Sequence, residues 1–318
     1  MKKNMKILIA YDGSECADAA IEDLQRAGLP AEAEALIVSV EEGWMPPPPL
    51  SSYALVETTV QPEGNTATQM AYDVESRLVE AKALALKAKA QVKKLFPAWY
   101  VSEKFVIGLP ANELLKIADE WNPDLIVVGS HGRTAIGKFI FGSVSNKIVT
   151  HANCTIRIAR CDPENRYSIE RILIGIDGSL GAEAAVEEVL DRQFPGGTEM
   201  RLLIACDPLK PSLVGYLLPK VVQWVDESNR GEREWAKDVV RQQAEKLKKA
   251  GFVISYEVKE GDPRRILMDE AEEWKATTLF LGARGLAAID RFLLGSVSTT
   301  LAQRAECAVE VVRPKNKI

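Results

Sequence analysis

The chain contains the same pattern twice, and this internal repeat constrains its fold more than any other feature. Residues 6–14 match residues 171–179 at an offset of 165. Residues 125–132 match residues 278–285 at an offset of 153. The offset changes once, between the second and third predicted strands, so the first copy has the longer loop there. Two copies of about 150 residues each have the usual size of a domain.

We predict two domains, at residues 1–162 and 168–318, separated by a polar linker that contains Pro163. Each copy alternates short apolar runs with segments whose apolar residues recur every three or four positions. Continuous runs such as 7–10 and 125–128 are typical of parallel strands that are buried on both faces. Alternating strands and helices predict an open, doubly wound α/β sheet, which binds ligands at the carboxyl ends of its strands.

A glycine motif follows the fourth predicted strand of each copy. It reads G-x-x-G, nine residues, then G-S, and it spans residues 129–143 and 282–296. Each motif opens onto a predicted helix. Glycine allows close approach of a ligand to the backbone, and helix N-termini attract anions. We therefore expect free amides at Gly142 and Ser143 and a phosphate site in each copy; the alternative is that the glycines serve only the turn.

One aspartate ends the first predicted strand of each copy. Asp12 and Asp177 each precede a Gly-Ser pair. At the carboxyl edge of a central strand, such a carboxylate can accept hydrogen bonds from a ribose or an adenine amino group. The alternative role is local, because aspartate and serine also cap the helix that follows.

The strand-ending aspartates and the glycine motifs together resemble the universal stress protein family in its tandem form. The resemblance covers residues 5–160 and 170–314. It implies two tandem Rossmann-like (adenine nucleotide alpha hydrolase-like) domains, each an open five-stranded parallel sheet with helices on both faces. The branch of the family with the glycine motif binds ATP. The resemblance therefore implies a regulatory stress-response protein with one ATP site per domain and Mg²⁺ held mostly by phosphates and water.

The resemblance also assigns residues to each ATP site. In the first domain Asp12 would contact the adenosine, and Val40 would bind adenine through its backbone. The other residues expected around the ribose and phosphates of the first site are Val128, Gly129, Gly132, Arg133, Gly142, Ser143 and Val144. The residues expected at the second site are Asp177, Cys206 (at the Val40 position), Leu281, Gly282, Gly285, Gly295, Ser296 and Val297.

Basic residues near the motifs can pair with phosphate oxygens, although solvated surface charge is the alternative. They are Arg133 and Lys138 in the first copy, and Arg284 and Arg291 in the second. His131 occurs in the first motif only, and we expect it to be a solvated loop residue. No nucleophile–base pair is evident, so we predict no catalytic residues. With only two histidines in the chain, we predict no metal site either.

Composition excludes several other classes of function. A formal charge of −5 and a pI near 5.4 argue against binding to nucleic acid or anionic membranes. No apolar run reaches the roughly 18 residues of a membrane helix, and the start has no signal-peptide core. The five cysteines include no C-x-x-C pair, so we expect neither a disulfide framework nor a zinc site. These features predict a cytoplasmic protein with reduced thiols.

Three further functions stay open at this point: a slow ATPase or phosphotransferase, a scaffold or dimerisation module that does not need nucleotide, and a flavin-linked electron-transfer protein. The last strands, 155–159 and 308–312, are candidate edges. They can pair within the chain as an internal pseudo-dimer, or between chains as a homo-oligomer, and an unknown protein partner is also open. The proline-rich residues 43–70 predict a long loop, a candidate lid or docking arm, before a helix at 71–96.

Overall fold

The structure is a computed structural model of the full chain. It describes residues 4–43, 64–132, 141–161, 169–212, 218–285 and 294–314, with the backbone alone for 64–75. The predicted linker lies outside the described residues. So do most of the proline-rich segment and the central part of each glycine motif.

The first half of the chain alternates strands and helices as its apolar runs predict. Its elements are β1 Met5–Ala10, α1 Glu15–Asp23, β2 Ala33–Glu42, α2 Gly64–Leu95, β3 Tyr100–Gly108, α3 Pro110–Trp121, β4 Leu125–Gly129, α4 Ser143–His151 and β5 Thr155–Ala159. A short 3-10 helix, Leu24–Arg26, follows α1.

The second half repeats this order. Its elements are β6 Arg171–Ile176, α5 Leu180–Leu190, β7 Glu199–Cys206, α6 Pro219–Lys249, β8 Val253–Glu260, α7 Pro263–Glu273, β9 Thr278–Gly282, α8 Ser296–Arg304 and β10 Ala308–Val312. Each half therefore has five strands and four α-helices among the described residues, as the repeat predicts.

In the described part of the chain the strands form a single sheet in the order β3-β2-β1-β4-β5-β10-β9-β6-β7-β8. The five strands of each half are parallel to one another. The two halves meet where β5 pairs with β10 in antiparallel orientation. The two last strands thus pair within the chain, which is one of the two arrangements predicted for them. Pairing with a second chain stays a prediction.

The helices cover both faces of the sheet. On one face, α3, α4, α7 and α8 enclose an apolar core that continues across the β5–β10 seam, with the fully buried Ile148 and Leu301 contributed by the two halves. On the other face each half has its own core, under α1 and α2 or under α5 and α6. The apolar stripe predicted for α2 is confirmed where side chains are described, since Ala81, Ala85 and Val92 are fully buried.

One predicted boundary is wrong. The helix expected from residue 71 begins at Gly64, inside the segment predicted as a loop. This stretch has no proline, whereas the four consecutive prolines at 46–49 lie further upstream. Residues 44–63, which carry the prediction of a lid or docking arm, lie outside the described residues.

Candidate functional site

The strand order reverses between β1 and β4 in the first half, and this is where ligands of open α/β sheets bind. Asp12 follows β1, and Gly132 follows β4. A Cβ atom on Gly132 would lie 2.6 Å from Oδ2 of Asp12, so the carboxylate lies directly against the glycine loop. The other oxygen, Oδ1, accepts a hydrogen bond from the Ser14 amide at 3.0 Å. The structure therefore brings the aspartate and the glycine motif together.

The second half has the same arrangement. Asp177 follows β6, and its Oδ2 lies against Gly285, where it would be in severe overlap with an added Cβ. Its Oδ1 accepts a hydrogen bond from the Ser179 amide at 3.0 Å. In both halves the helix after the aspartate is capped by the serine, not by the aspartate, since Ser14 and Ser179 accept from Ala17 and Ala182. The serines therefore fill the capping role, and the carboxylates of Asp12 and Asp177 lie against the glycine motifs.

The helices α4 and α8 begin at the ends of the two motifs. Gly142 and Gly295 are their N-cap residues, and neither cap has a side-chain hydrogen bond. The expectation of a free amide at Gly142 is wrong, because this amide donates to the carbonyl of Ser130 at 2.9 Å. The Gly295 amide likewise donates to Ala283 at 2.8 Å. The amides that have no acceptor within the helix start one residue later, at the exposed Ser143 and at Ser296.

The first glycine of each motif has a packing role. A Cβ on Gly129 would lie 3.0 Å from the backbone of Cys16, at the start of α1. A Cβ on Gly282 would overlap the backbone of Gly181, at the start of α5. These two glycines let the fourth strand of each half pack directly on a helix N-terminus. At Gly129 and Gly282, close packing of the backbone therefore explains why the residue is glycine.

The side chains of two predicted valines, Val128 and Val144, and of their counterparts in the second half pack against the core. The side chains of Val128 and Leu281 are buried in the core below the site. Val144 and Val297, in the first turn of α4 and α8, are partly buried against the same core. Any contact that these four residues make with a ligand therefore runs mainly through backbone atoms.

The assignment of Cys206 to the Val40 position is wrong. The ladder pairs Ile9 with Ile37 in the first half and Ile174 with Leu202 in the second. This register puts Ala205, not Cys206, at the Val40 position. Val40 belongs to the core that crosses the seam, whereas Cys206 belongs to the core under α5 and α6, on the opposite face of the sheet.

His131 is not a solvated loop residue, contrary to the expectation. Its Nε2 lies 3.3 Å from Sγ of Cys16, and its Nδ1 lies 3.1 Å from Oγ of Ser130. This pairs a thiol with an imidazole, which sequence reasoning missed because the two residues are 115 positions apart. Burial, followed by the neighbouring Cys161, raises the pKa of Cys16 to about 12. The thiol is therefore protonated at neutral pH and is not an activated nucleophile.

A second missed feature is the serine at the third position of α4 and α8. The Ser145 hydroxyl donates to the carbonyl of Gly129 at 2.7 Å, and the Ser298 hydroxyl donates to Gly282 at 2.6 Å. Each hydrogen bond ties the helix to the start of its own motif. The sequence contains the signal for this contact, because the G-S pair that ends each motif is followed in both copies by the same two residues, V-S.

The predicted cations of the loops are only partly located. Arg133, Lys138 and Arg291 lie outside the described residues. Arg284 is half-buried, and it occupies the position that corresponds to His131. In the described ranges there is no group of three or more histidine, cysteine, aspartate or glutamate side chains that could hold a metal ion.

Comparison with known proteins places the chain in a family. The model of the universal stress protein family matches residues 3–160 and again residues 168–313. The chain therefore belongs to the universal stress protein family, whose members are stress-response proteins, and it carries two tandem copies of the family domain. None of the described helices has the length and apolar character that crossing a membrane requires.

Two relatives illustrate the range of similarity. A universal stress protein of Mycolicibacterium smegmatis is 27% identical over 193 residues, which make up 60% of this chain and 62% of that protein. The match thus spans less than two thirds of the length of that relative. A universal stress protein of Mycobacterium tuberculosis is 22% identical over 319 residues, which cover 98% of this chain and 95% of that protein.

The fold is shared with a solved structure that spans nearly the whole chain. A universal stress protein from Archaeoglobus fulgidus matches 98% of this chain and 97% of its own chain, with a TM-score of 0.59 and 19% sequence identity. A universal stress protein family protein from Arabidopsis thaliana, solved with AMP bound, covers 46% of this chain and 93% of its own, with a TM-score of 0.33 and 17% identity.

Proposed function

We propose that this chain is an ATP-binding regulatory protein of the stress response, with one nucleotide site in each half. Asp12 and Asp177 hold the adenosine, and the first turns of α4 and α8 hold the phosphates through backbone amides. Mg²⁺ arrives with the nucleotide and is held by phosphates and water. The cytoplasmic location predicted from the sequence is part of this proposal.

The observation that carries the proposal is the environment of Gly295. Its backbone angles, φ −64° and ψ 148°, are accessible to any residue. A Cβ at this position would meet its nearest atoms at 3.4 to 3.8 Å, which is ordinary van der Waals contact. The fold therefore does not require glycine here. A ligand that approaches the start of α8 closely gives a reason for the missing side chain.

Charge and polarity at the same edge fit this ligand. The first turn of a helix carries a positive partial charge, and the exposed hydroxyls of Ser143 and Ser296 lie within that turn. The half-buried Arg284 adds a permanent cation to the second motif. The carboxylates lie beside Gly132 and Gly285, and a carboxylate suits the hydroxyls of a ribose and not a phosphate.

The arrangement favours binding over catalysis. Cys16 and His131 form the thiol–imidazole pair of the described site, and Cys16 is only 2% exposed. Because burial and the neighbouring Cys161 raise the pKa of Cys16 to about 12, the pair does not supply a nucleophile near neutral pH. We propose a site whose occupancy is the signal, and not a site that turns over its nucleotide.

The test uses a valine at the N-cap glycine of each site. We expect Gly142→Val and Gly295→Val each to lower the number of Mg-ATP bound per chain by about one, since the side chain blocks the approach to the helix amides. Gly231→Val is the matched control, because Gly231 lies in α6 with no atom within 4 Å of its added Cβ. Circular dichroism establishes that all variants are folded. Unchanged binding in the folded double variant contradicts the proposed sites.

A further inference from the structure

A fully buried ion pair lies at the centre of the seam between the halves. Arg157 of β5 and Glu310 of β10 face each other in the antiparallel ladder. Their side chains are fully buried, and Nη1 of Arg157 lies 3.1 Å from Oε2 of Glu310. Burial alone would lower the pKa of Arg157, but Asp23 and Glu310 raise it above its ordinary value. The guanidinium is therefore charged inside the seam.

These two residues occupy equivalent positions in the repeat, 153 residues apart. The flanking pairs are Ile156 with Val311 and Ile158 with Val309. Since Ile156 is equivalent to Val309 by the same offset, the pairs on the two sides exchange under a two-fold rotation. The approximate two-fold axis that relates the halves thus passes between Arg157 and Glu310.

This position of the axis has a direct consequence for the partners that each edge accepts. If β5 paired with a second β5 in the same register, Arg157 would face another Arg157 within the buried seam. If β10 paired with a second β10, Glu310 would face another Glu310. Burying two like charges face to face is unfavourable in the low-dielectric interior, because each loses the opposite charge across the seam and keeps only the counter-charge of its own half.

The charges around the pair are also divided unequally between the halves. Asp23 in the first half accepts from Arg157 at 2.6 and 3.1 Å. The equivalent residue in the second half, Glu188, would repel Glu310, but Arg192 lies between them and bonds to both. Arg192 also donates to the carbonyl of Ala27 in the first half at 3.0 Å.

Other contacts across the seam treat the two halves alike. Arg160, after β5, donates to the Ala302 carbonyl at the end of α8 at 2.6 Å. Its counterpart Arg313, after β10, donates to the Val149 carbonyl at the end of α4 at 2.9 Å. A seam between two identical halves would keep such contacts. They hold the seam together but do not distinguish one partner from another.

We propose that the Arg157–Glu310 pair makes β5 and β10 exclusive partners, so that β5 accepts an edge with a carboxylate at its centre and rejects a second copy of itself. Buried ion pairs contribute little net stability relative to an apolar pair of similar size. Their effect here is on partner choice. The pair directs the edge of each half to the other half of the tandem protein and away from like edges.

The test starts from the full chain with a protease site introduced between residues 162 and 168. The purified protein is cut, and labelled and unlabelled samples are mixed at low urea concentration until labelled and unlabelled halves have exchanged. Native mass spectrometry then counts pairs of unlike and like halves. For the unaltered seam we expect like pairs to be at least about a hundredfold rarer than unlike pairs.

Glu310→Gln removes one charge while keeping the shape of the side chain. We expect pairs of two second halves to appear in this variant, whereas pairs of two first halves, which still oppose Arg157 to Arg157, stay rare. Arg157→Met combined with Asp23→Asn should show the reverse pattern, and it covers the case in which Glu310→Gln does not fold. The proposal is overturned if the unaltered protein forms pairs of like halves as often as random pairing predicts. It is also overturned if the Glu310→Gln variant forms the same pairs as the unaltered protein.

Discussion

Gly282 and Gly295 belong to the same motif, but replacing each with alanine should have different consequences. At Gly282 the new Cβ would overlap the backbone of Gly181 and lie 2.8 Å from the amide nitrogen of Ala182. These atoms belong to the start of α5, so the helix must move away from β9. At Gly295 the nearest atoms would lie at 3.4 Å or more, so no atom has to move.

These distances determine the expected changes in the free energy of unfolding. Overpacking costs roughly 1–3 kcal/mol, and the overlap with backbone puts Gly282→Ala at about 2–3 kcal/mol. At about 2–4 °C per kcal/mol, this lowers Tm by roughly 4–12 °C. For Gly295→Ala, the unfolded chain loses entropy, which stabilises the protein by about 0.4–1 kcal/mol. Alanine is a poorer N-cap than glycine, and this destabilises the protein by a similar amount. The two effects offset each other, so Tm should change by no more than about 3 °C.

The assay is thermal unfolding of nucleotide-free protein followed by titration with Mg-ATP. We expect Gly295→Ala to keep the Tm and to weaken binding at one site, and Gly282→Ala to lower the Tm. Gly231→Ala, in the middle of α6, is the control and should be at least as stable as the parent. Equal losses of Tm for Gly282→Ala and Gly295→Ala would refute this division between a packing glycine and a ligand glycine.

Two further predictions concern ionisable groups. Burial alone would raise the pKa of Glu270, but hydrogen bonds from Lys259 and Arg201 outweigh it and hold the pKa below its ordinary value of 4.5. The ionised Glu270 therefore stabilises the folded protein above pH 4.5. This stabilisation is lost as the pH falls through the lower, folded-state pKa. Glu270→Gln should flatten the acid side of a urea-unfolding pH series, and an unchanged slope would contradict this reading. Burial raises the pKa of Cys307 to about 11, and that of Cys16 to about 12. Both thiols should react with a disulfide reagent at pH 8 only after denaturation, and rapid reaction of either in the folded protein, located by peptide mass spectrometry, would show the opposite.

The strands and most helices could be predicted because their signals are local. Continuous apolar runs such as 125–128 locate β4, and the three-four spacing of Ala81 and Ala85 locates the core-facing side of α2. The place of Asp12 beside the glycine motif follows from the predicted doubly wound topology, since both stand at the carboxyl ends of adjacent parallel strands.

The details that were missed depend on register and on distant contacts. Both faces of β2 and β7 are buried, so no alternation of polar residues fixes their register, and Cys206 was assigned one position away from its true counterpart. The contact of Cys16 with His131 and that of Asp23 with Arg157 each join residues more than 100 positions apart. Their residue types alone do not indicate that they meet.

The most direct test of the two-site proposal is the stoichiometry of nucleotide binding by the unaltered protein. The purified chain is denatured and its released nucleotide is counted by chromatography and mass, and the emptied protein is then titrated with Mg-ATP by calorimetry. The proposal predicts two adenine nucleotides per chain. A folded protein that carries none and binds no added Mg-ATP would contradict it.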